Sequence, residues 1–361
     1  MRLKTLTTFT MLALVAMMGD AVAASPMTTD IRYFTVDGHR LAALFSAPKE
    51  QPASATVIIV HGYGPTRVID QNWYYELRYR LADAGIASFV WDKPGSGQSE
   101  GEFDIDQPVA SSADEVLAAA DFLRSTDTPG SSSIGLFSMS RGGWIAPLAM
   151  SQDPRLDFWI SVSGVDDKES FGYLLESNWR LSGYPESRIS TLLSQWNAGN
   201  AVVADGGNYR EFLAATTDYR ADPFVLEMVG GDSTFGEASF EAYQASWQNT
   251  SSKLDPESGL LIYVEDFDEM LSSLDVPVLA LFGEKDSSVD WQSTRRLYER
   301  TIGRNASASL TVKTFPSGNH NLHDSETGSF KEMLEILDSP RMVDGYFDVI
   351  LHWLGTEIQS E

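Results

Sequence analysis

A serine lies in a turn of small residues between a predicted strand and a predicted helix. Residues 135–143 read GLFSMSRGG. A nucleophile on a sharp strand-to-helix turn needs small residues two positions before and two positions after it, because the backbone there folds closely on itself. Ser138 and Gly142 satisfy this condition around Ser140, whereas Leu136 stands at the first position around Ser138. Ser140 is therefore the candidate nucleophile, and the alternative is a Ser- and Gly-rich turn without chemistry.

A serine hydroxyl needs a base to become a strong nucleophile, and the chain contains five histidines. His320 follows a predicted strand in the segment SGNH, and loops at the carboxyl ends of strands are where an α/β sheet places its site. His320 is the predicted base, with His323 as the second candidate. We predict structural positions for the other three: His39 in a hairpin, His61 in a loop and His352 in the last helix.

The base in turn needs a carboxylate that orients it. A predicted strand ends in the segment GEKD, and Asp286 lies in the tight turn that follows. Glu284 and Asp290 are rival carboxylates in the same acidic loop, and their alternative role is that of solvated surface charges. Asp286 is the predicted orienting residue.

Acyl chemistry also needs N–H donors aimed at the charge that develops on the substrate oxygen. We predict the backbone N–H of Arg141, next to the serine, as one donor. The other is expected from the segment HGYGP at 61–65, and we assign it to the Tyr63 N–H. The side chains of Arg141 and Arg67 could each pair locally or contact a substrate carboxylate; we favour the structural role for Arg141 and leave both roles open for Arg67.

The elements that must position these residues follow an alternating pattern. Two strands at 31–36 and 41–47 meet at Asp37-Gly38, a hairpin signal. Continuous apolar runs, typical of strands buried on both faces, then alternate with helical periodicity. The runs occupy 55–60, 86–91, 133–137, 158–162, 276–282 and 310–315, and the helical patterns occupy 72–84, 112–123, 144–150, 291–302 and 346–354. This alternation predicts an α/β fold with a mostly parallel central sheet flanked by helices.

The alternation of strands and helices is interrupted by about a hundred residues between the sixth and seventh predicted strands. Residues 165–275 are rich in aromatic side chains and show several helical patterns. A direct connection would be much shorter, so we predict a mainly helical cap inserted into a catalytic domain made of 24–164 and 276–361. Most of its aromatic residues are expected to form the core of the cap, and a few to line an acyl pocket.

The N-terminus resembles a cleaved secretory signal. Arg2 and Lys4 precede a largely apolar stretch at 6–18, and Ala-Val-Ala at 21–23 supplies the small residues that signal peptidase reads. The apolar stretch is shorter than the ~20 residues that a bilayer span requires. We predict a signal peptide at 1–23, a secreted or periplasmic protein, and no membrane span in the mature form.

The composition excludes several classes of partner and chemistry. The formal net charge of −25 argues against binding to nucleic acid or to anionic membranes, because their phosphates require basic residues. The chain has no cysteine, which excludes disulfides, thiol nucleophiles and cysteine-based metal sites. The expected partner is a small-molecule acyl substrate, and the oligomeric state stays open.

Taken together, these segments resemble the α/β-hydrolase superfamily. A further signature, DKPGSGQS at 92–99, is similar to the D-x-R-G-x-G-x-S turn that follows the fourth strand in many members, with Pro94 where Arg is common. The order Ser140, Asp286, His320 is the order expected of that fold. Within it, the motifs resemble those of bacterial secreted esterases and acyl hydrolases related to prolyl-peptidase-type serine hydrolases.

The resemblance implies a serine hydrolase that forms an acyl-enzyme and needs no metal or organic cofactor. Cleavage of carboxylic esters, the EC 3.1.1 class, is the favoured activity. The first alternative is a serine peptidase or amidase of the prolyl-peptidase-like type, which would use the same triad. The second is a binding protein with a catalytically dead site.

Overall fold

A central sheet of eight strands organises the protein. The computed structural model describes residues 25–105, 107–166, 171–228, 236–249, 253–254, 261–338 and 340–357. The strands in chain order are β1 (Met27–Val36), β2 (His39–Pro48), β3 (Thr56–Val60), β4 (Ala87–Trp91), β5 (Ile134–Met139), β6 (Trp159–Val162), β7 (Lys253–Leu254), β8 (Leu261–Ile262), β9 (Pro277–Gly283) and β10 (Ser309–Phe315). All but β7 and β8, which form a separate antiparallel pair, belong to the large sheet.

The large sheet has the order β1-β2-β4-β3-β5-β6-β9-β10. β2 pairs antiparallel with both β1 and β4, and the other described pairings are parallel. The hairpin and all six predicted apolar runs are confirmed as strands, with ends that differ by one to a few residues. Parallel pairing explains the continuous apolar runs, because helices cover both faces of such strands.

Helices lie on both sides of the sheet. They are α1 (Val68–Gln71), α2 (Tyr75–Asp83), α3 (Val109–Ser125), α4 (Gly142–Gln152), α5 (Phe171–Leu181), α6 (Glu186–Ala204), α7 (Tyr209–Ala215), α8 (Thr217–Arg220), α9 (Pro223–Met228), α10 (Glu237–Asn249), α11 (Phe267–Ser273), α12 (Trp291–Arg300), α13 (Phe330–Glu335) and α14 (Tyr346–Glu357). Two short 3₁₀ turns occupy Ile302–Arg304 and Ile336–Asp338. None of the helices in the described part of the chain is long and apolar enough to cross a membrane.

The two faces of the sheet bury separate apolar clusters. Ile58 and Val60 of β3 contribute to one cluster, together with residues of α3, α4, α11 and α12. Val57 and Ile59 contribute to the other, together with residues of α1, α2 and α14. Successive residues of a strand point to opposite faces, so a fully apolar strand supplies both cores at once. The result is a three-layer sandwich that holds the strand ends rigidly.

The predicted helix at 72–84 is shorter than the sequence suggested. Asn72 and Tyr74 both adopt positive φ, 53° and 56°, so residues 72–74 are not helical and separate α1 from α2. A left-handed residue cannot continue a right-handed helix, so α2 begins only at Tyr75. Apolar spacing alone does not reveal such a backbone break.

The described part of 165–275 contains α5 to α11 and the β7–β8 pair. Three of these helices, α5, α6 and α9, share a small core of their own. Its buried members are Leu175, Trp179, Ile189, Leu192, Trp196 and Val225. The boundaries of a separate cap, and its place over the site, stay predictions. The predicted signal peptide at 1–23 lies outside the described residues.

Candidate active site

Ser140 occupies a strained turn between β5 and α4. Its φ is 53°, a left-handed value that costs a non-glycine residue about 1–2 kcal/mol. Its backbone N–H donates to the carbonyl of Val162 at 3.0 Å, so the neighbouring strand β6 helps to hold the turn. Strain of this kind persists only where the surrounding structure enforces it, and it is typical of functional sites.

The residues on either side of the turn explain how a serine replaces the usual first glycine. Ser138 is fully buried, and its Oγ accepts a hydrogen bond from Trp159 Nε1 at 2.8 Å. A Cβ on Gly142 would lie 3.0 Å from Ser138 Cβ and 3.1 Å from the Val60 carbonyl oxygen. A glycine is therefore required at position 142. Position 138, by contrast, has room for a serine side chain, whose hydroxyl is hydrogen-bonded to Trp159.

The structure brings the three predicted side chains together. His320 Nε2 lies 2.9 Å from Ser140 Oγ, and His320 Nδ1 lies 2.8 Å from Asp286 Oδ2. A carboxylate can only accept, so Nδ1 carries the proton and Nε2 is left as the acceptor for the serine hydroxyl. This is the arrangement in which a histidine can take a proton from a serine.

Asp286 is fixed by its own turn after β9. Its side chain is fully buried, and its Oδ1 accepts from the N–H groups of Ser288 at 2.8 Å and Val289 at 2.9 Å. The rival carboxylates have other contacts. Glu284 accepts from Thr314 Oγ1 at 2.7 Å, and Asp290 caps the N-terminus of α12. Asp286 is thus the acidic residue of this loop that contacts the histidine.

The electrostatics of the pair favour a basic histidine. Burial acts to lower the pKa of His320, whose side chain is only 12% exposed, but the charge and hydrogen bond of Asp286 outweigh it. The pKa of His320 is therefore raised above its ordinary value of 6.5.

His323 takes a different place. Its backbone N–H donates to Asn319 Oδ1 at 3.0 Å, and it forms an isolated bridge with Met342. Burial lowers the pKa of His323. It helps to shape the loop that presents His320.

His61 is a buried loop residue, as the sequence suggested. Its Nε2 lies 2.6 Å from the Trp91 carbonyl oxygen. Burial and the nearby charge of Lys93 lower the pKa of His61 to about 3, so its ring is neutral.

The segments that carry the two predicted N–H donors both approach the serine. A Cβ on Gly62, the residue before Tyr63, would lie 3.4 Å from Ser140 Cβ. Arg141 is the N-cap of α4, and N–H groups at a helix N-terminus lack intrahelical partners. This end of a helix also favours negative charge.

Ser140, Asp286 and His320 follow β5, β9 and β10, and Tyr63 follows β3, so the site lies at the carboxyl edge of the sheet. A model of the family described as serine aminopeptidase, S33, matches residues 51–177, about a third of the chain. A search of curated protein sequences found no match. Among solved structures, an esterase from Pyrococcus furiosus superposes with a TM-score of 0.54 at 13% identity, covering 92% of both chains. The protein has the α/β-hydrolase fold.

Two further solved structures share this α/β-hydrolase fold. Est1E from Butyrivibrio proteoclasticus, solved with ferulic acid, superposes with a TM-score of 0.50 at 15% identity, covering 91% of this chain and 98% of that one. Proline iminopeptidase from Mycobacterium smegmatis gives 0.50 at 14% identity, covering 92% and 99%. At these identities the likeness concerns the fold.

The two arginines near the site of this α/β-hydrolase fold make local contacts. Arg141 is buried and donates to Ser112 Oγ at 3.0 Å and to the Gln107 carbonyl. Its guanidinium also lies 5.5 Å from the ring centre of Tyr63. Arg67 forms an exposed ion pair with Asp70 at 3.7 Å. The contacts agree with the structural role favoured for Arg141, and they give Arg67 a local ion pair.

Sequence reasoning gave no role to Lys93, which the structure places beside the site. Its Nζ donates to the carbonyl oxygens of Gly62 at 2.6 Å and Gly64 at 2.8 Å. The position of Lys93 inside the D-x-x-G turn at 92–95, directly after a buried strand, was the available signal. A lysine at a buried strand end needs acceptors, and a neighbouring glycine loop offers them.

Helix α5 was also missed as a support of the acidic loop. Asn178 Nδ2 donates to the Ser287 carbonyl at 3.3 Å, and its Oδ1 accepts from the Phe330 N–H at 2.7 Å. Tyr173, one turn earlier, donates its hydroxyl to the Asp286 carbonyl at 3.3 Å. The buried Asn178 therefore joins α5, the loop of Asp286 and the start of α13.

Acidic and histidine side chains do not assemble into a metal site in the described ranges. No group of three or more His, Cys, Asp or Glu side chains there is placed to hold a metal ion.

Proposed function

We propose that the protein is a serine hydrolase that cleaves carboxylic ester bonds through an acyl-enzyme intermediate. The observation that carries the proposal is the continuous hydrogen-bond chain from Asp286 through His320 to Ser140. The strained φ of Ser140 and the raised pKa of His320 support it, because both features concentrate at catalytic sites.

In the proposed mechanism, Ser140 Oγ attacks the acyl carbonyl carbon and its proton passes to His320 Nε2. Asp286 holds the ring and stabilises the imidazolium that forms. The N–H groups of Tyr63 and Arg141 donate to the substrate oxygen as it becomes negative. When the tetrahedral intermediate collapses, the alkoxide leaves with the proton from His320. A water then attacks the acyl-enzyme, with His320 again as base, and releases the carboxylic acid.

The central test is Ser140→Ala on hydrolysis of p-nitrophenyl butyrate. We expect kcat to fall by about 10⁴-fold or more, the loss found when a triad serine is removed. Ser151→Ala is the matched control, because Ser151 lies on α4, the helix that follows the Ser140 turn, and its hydroxyl bonds only the Leu148 carbonyl in the described structure. Turnover that survives Ser140→Ala would exclude the mechanism.

The base is tested by comparing His320→Ala with His323→Ala. The first variant should lose activity almost as completely as Ser140→Ala, while the second should keep most of it because His320 is the histidine that bonds the Ser140 hydroxyl. Full activity in His320→Ala would transfer the role. A fluorophosphonate probe that labels the wild type and not Ser140→Ala would exclude a catalytically dead binding protein.

Peptide or amide hydrolysis is the second candidate function. It is favoured by the match to the serine aminopeptidase family model and by the fold shared with a proline iminopeptidase. The esterase from Pyrococcus furiosus and the ferulic acid complex of Est1E favour esters. Measuring kcat/KM for p-nitrophenyl esters and aminoacyl p-nitroanilides side by side decides between the two functions. A higher kcat/KM for prolyl or other aminoacyl p-nitroanilides than for the esters would establish the peptidase.

We also propose that the protein is exported after removal of residues 1–23. The basic start, apolar stretch and Ala-Val-Ala at 21–23 support this. Intact-mass measurement of the protein made in a bacterial host should give a chain beginning at Ala24. A cytoplasmic product that retains Met1 would contradict export.

A further inference from the structure

A buried ammonium group lies beneath the loop that carries the Tyr63 N–H. Lys93 is only 8% exposed, and its Nζ donates to the carbonyl oxygens of Gly62 at 2.6 Å and Gly64 at 2.8 Å. Its backbone N–H donates to Thr66 Oγ1 at 2.6 Å. Lys93 thus contacts the segment 62–66 at three points, and two of them flank Tyr63.

The geometry of the peptide unit connects these contacts to the site. The Gly62 carbonyl oxygen and the Tyr63 N–H belong to one planar trans peptide and therefore point in opposite directions. Because Nζ holds the oxygen, the N–H must point to the side away from Lys93. Gly62 itself lies against the nucleophile, since a Cβ there would be 3.4 Å from Ser140 Cβ.

The loop would not hold this orientation unaided. Gly62 and Gly64 flank Tyr63, and Gly64 has a φ of 89°. Rotation of the peptide between Gly62 and Tyr63 changes ψ of Gly62 and φ of Tyr63, and glycine, which has no Cβ, resists its share of that rotation less than any other residue would. Hydrogen bonds from a charged donor are shorter and stronger than neutral ones, which makes an ammonium group an effective clamp.

We propose that Lys93 is a positioning residue of the hydrolytic site, whose ammonium charge fixes the Gly62–Tyr63 peptide so that the Tyr63 N–H faces the substrate oxyanion. The inference rests on the proposed function. Loss of the clamp lets the peptide turn, which removes one of the two donors while leaving Ser140 and His320 in place.

The surroundings of Lys93 give the clamp a pH dependence. Burial and the charge of Arg141 lower the pKa of Lys93 to about 8, and the charge of Glu115 opposes this. His61, whose pKa the charge of Lys93 helps to lower, is neutral. The ammonium form is present below pH 8 and is lost as the pH rises through it. A neutral amine binds carbonyl oxygens less strongly, so kcat should fall on the alkaline side.

The experiment compares the wild type with Lys93→Met on p-nitrophenyl butyrate, with rates expressed per fluorophosphonate-titrated site. We expect kcat to fall by about 10²–10³-fold, the loss that removal of one oxyanion donor produces, with KM changed by less than about threefold. The Ki of a trifluoromethyl ketone, which forms a tetrahedral oxyanion on the serine, should rise by a similar factor. The alkaline fall of kcat should be present in the wild type and absent in Lys93→Met.

Two control variants separate positioning from stability. Arg78→Met removes another buried cation, one that donates to the Trp73 carbonyl and Ser46 Oγ. It should lower the unfolding midpoint yet keep kcat per titrated site within about threefold of the wild type, since Arg78 donates to neither Gly62 nor Gly64. Lys313→Met, on the exposed side of β10, should change neither quantity.

Three results would overturn the proposal. They are a kcat of Lys93→Met within about threefold of the wild type, an unchanged Ki for the trifluoromethyl ketone, or a wild-type kcat that stays flat from about pH 7 to 10. The last measurement uses only the wild type, so it decides even where Lys93→Met does not fold. Failure of the proposed function has a different signature, namely a wild type without Ser140-dependent turnover.

Discussion

Ser138 stands where the nucleophile turn usually has glycine, and its hydroxyl is expected to serve stability and not chemistry. It lies on β5, is fully buried, and accepts a hydrogen bond from Trp159 Nε1 on β6 at 2.8 Å. Trp159 is itself fully buried, with its ring centre 5.4 Å from that of Tyr298. The perturbation is Ser138→Ala, which keeps the Cβ and removes the acceptor.

The magnitude follows from the indole N–H that loses its partner. A buried donor left unsatisfied costs about 1–3 kcal/mol, so Ser138→Ala should lower the free energy of unfolding by that amount. Ser138→Gly also removes the Cβ from a strand and should cost about 0.5–1 kcal/mol more. Removal of both partners in Ser138→Ala/Trp159→Phe leaves no orphan group. The double variant should therefore lose less free energy of unfolding than the two single variants lose together, and the difference, the coupling energy, should be about 0.5–3 kcal/mol.

The assay is urea unfolding followed by far-ultraviolet circular dichroism, because Trp159→Phe would alter a fluorescence signal. The kcat/KM of each folded variant for p-nitrophenyl butyrate is measured in parallel and should stay within about threefold of the wild type for Ser138→Ala. Ser151→Ala provides the baseline, because its hydroxyl bonds only a carbonyl of its own helix in the described structure.

Two outcomes would contradict a purely structural role for the Ser138 hydroxyl. If Ser138→Ala is as stable as the wild type, the hydrogen bond from Trp159 to Ser138 does not contribute to the free energy of unfolding. If the variant is stable but loses more than about tenfold in kcat/KM, Ser138 takes part in the chemistry.

Two more predictions concern the triad and its support. The kcat/KM for esters should rise with pH with a midpoint above 6.5, because the base works only when neutral and Asp286 raises the pKa of His320. Asp286→Asn should lower that midpoint, and a pH–rate profile with an unmoved midpoint would contradict the assignment. Asn178→Leu removes the hydrogen-bond partner of the Ser287 carbonyl and of the Phe330 N–H. It should lower the free energy of unfolding by about 1–3 kcal/mol for each of these groups, and it should also lower kcat. Urea unfolding and kcat measure both effects, and a fully stable, fully active variant would show that α5 does not support the acidic loop.

Much of the fold follows from local sequence patterns. The apolar runs that became β3 to β6 and β9 are continuous and rich in branched residues, and a strand buried on both faces requires that pattern. The sequence placed the start of the helix α2 at residue 72, three residues before its true start at Tyr75. The positive φ of Asn72 and Tyr74 interrupts the helix without altering the apolar spacing. Apolar periodicity predicts whether a segment is a helix or a strand, whereas the residue at which it begins or ends depends on single backbone angles.

The predicted site residues also came from local signals, since small residues around a serine and polar residues after strands can be read in one dimension. The sequence favoured Asp286 for its place in the tight turn but left Glu284 and Asp290 as rivals. All three lie within one acidic loop, and only the folded turn directs Asp286 to His320 while Asp290 caps a helix. The contacts of Lys93 could not be read from the sequence either, because its acceptors are about thirty residues away in the chain.

The order of the strands and helices, the candidates Ser140 and His320, and the small residues of the tight turn could all be read from the sequence. Those features depend on side-chain size, apolar periodicity and backbone freedom, which act between near neighbours. The tertiary structure decided which carboxylate contacts the histidine, how Ser138 is tolerated, and that a lysine clamps the loop beside the nucleophile. These are distances and directions between segments far apart in the chain, and they exist only once the sheet has brought its strand ends together.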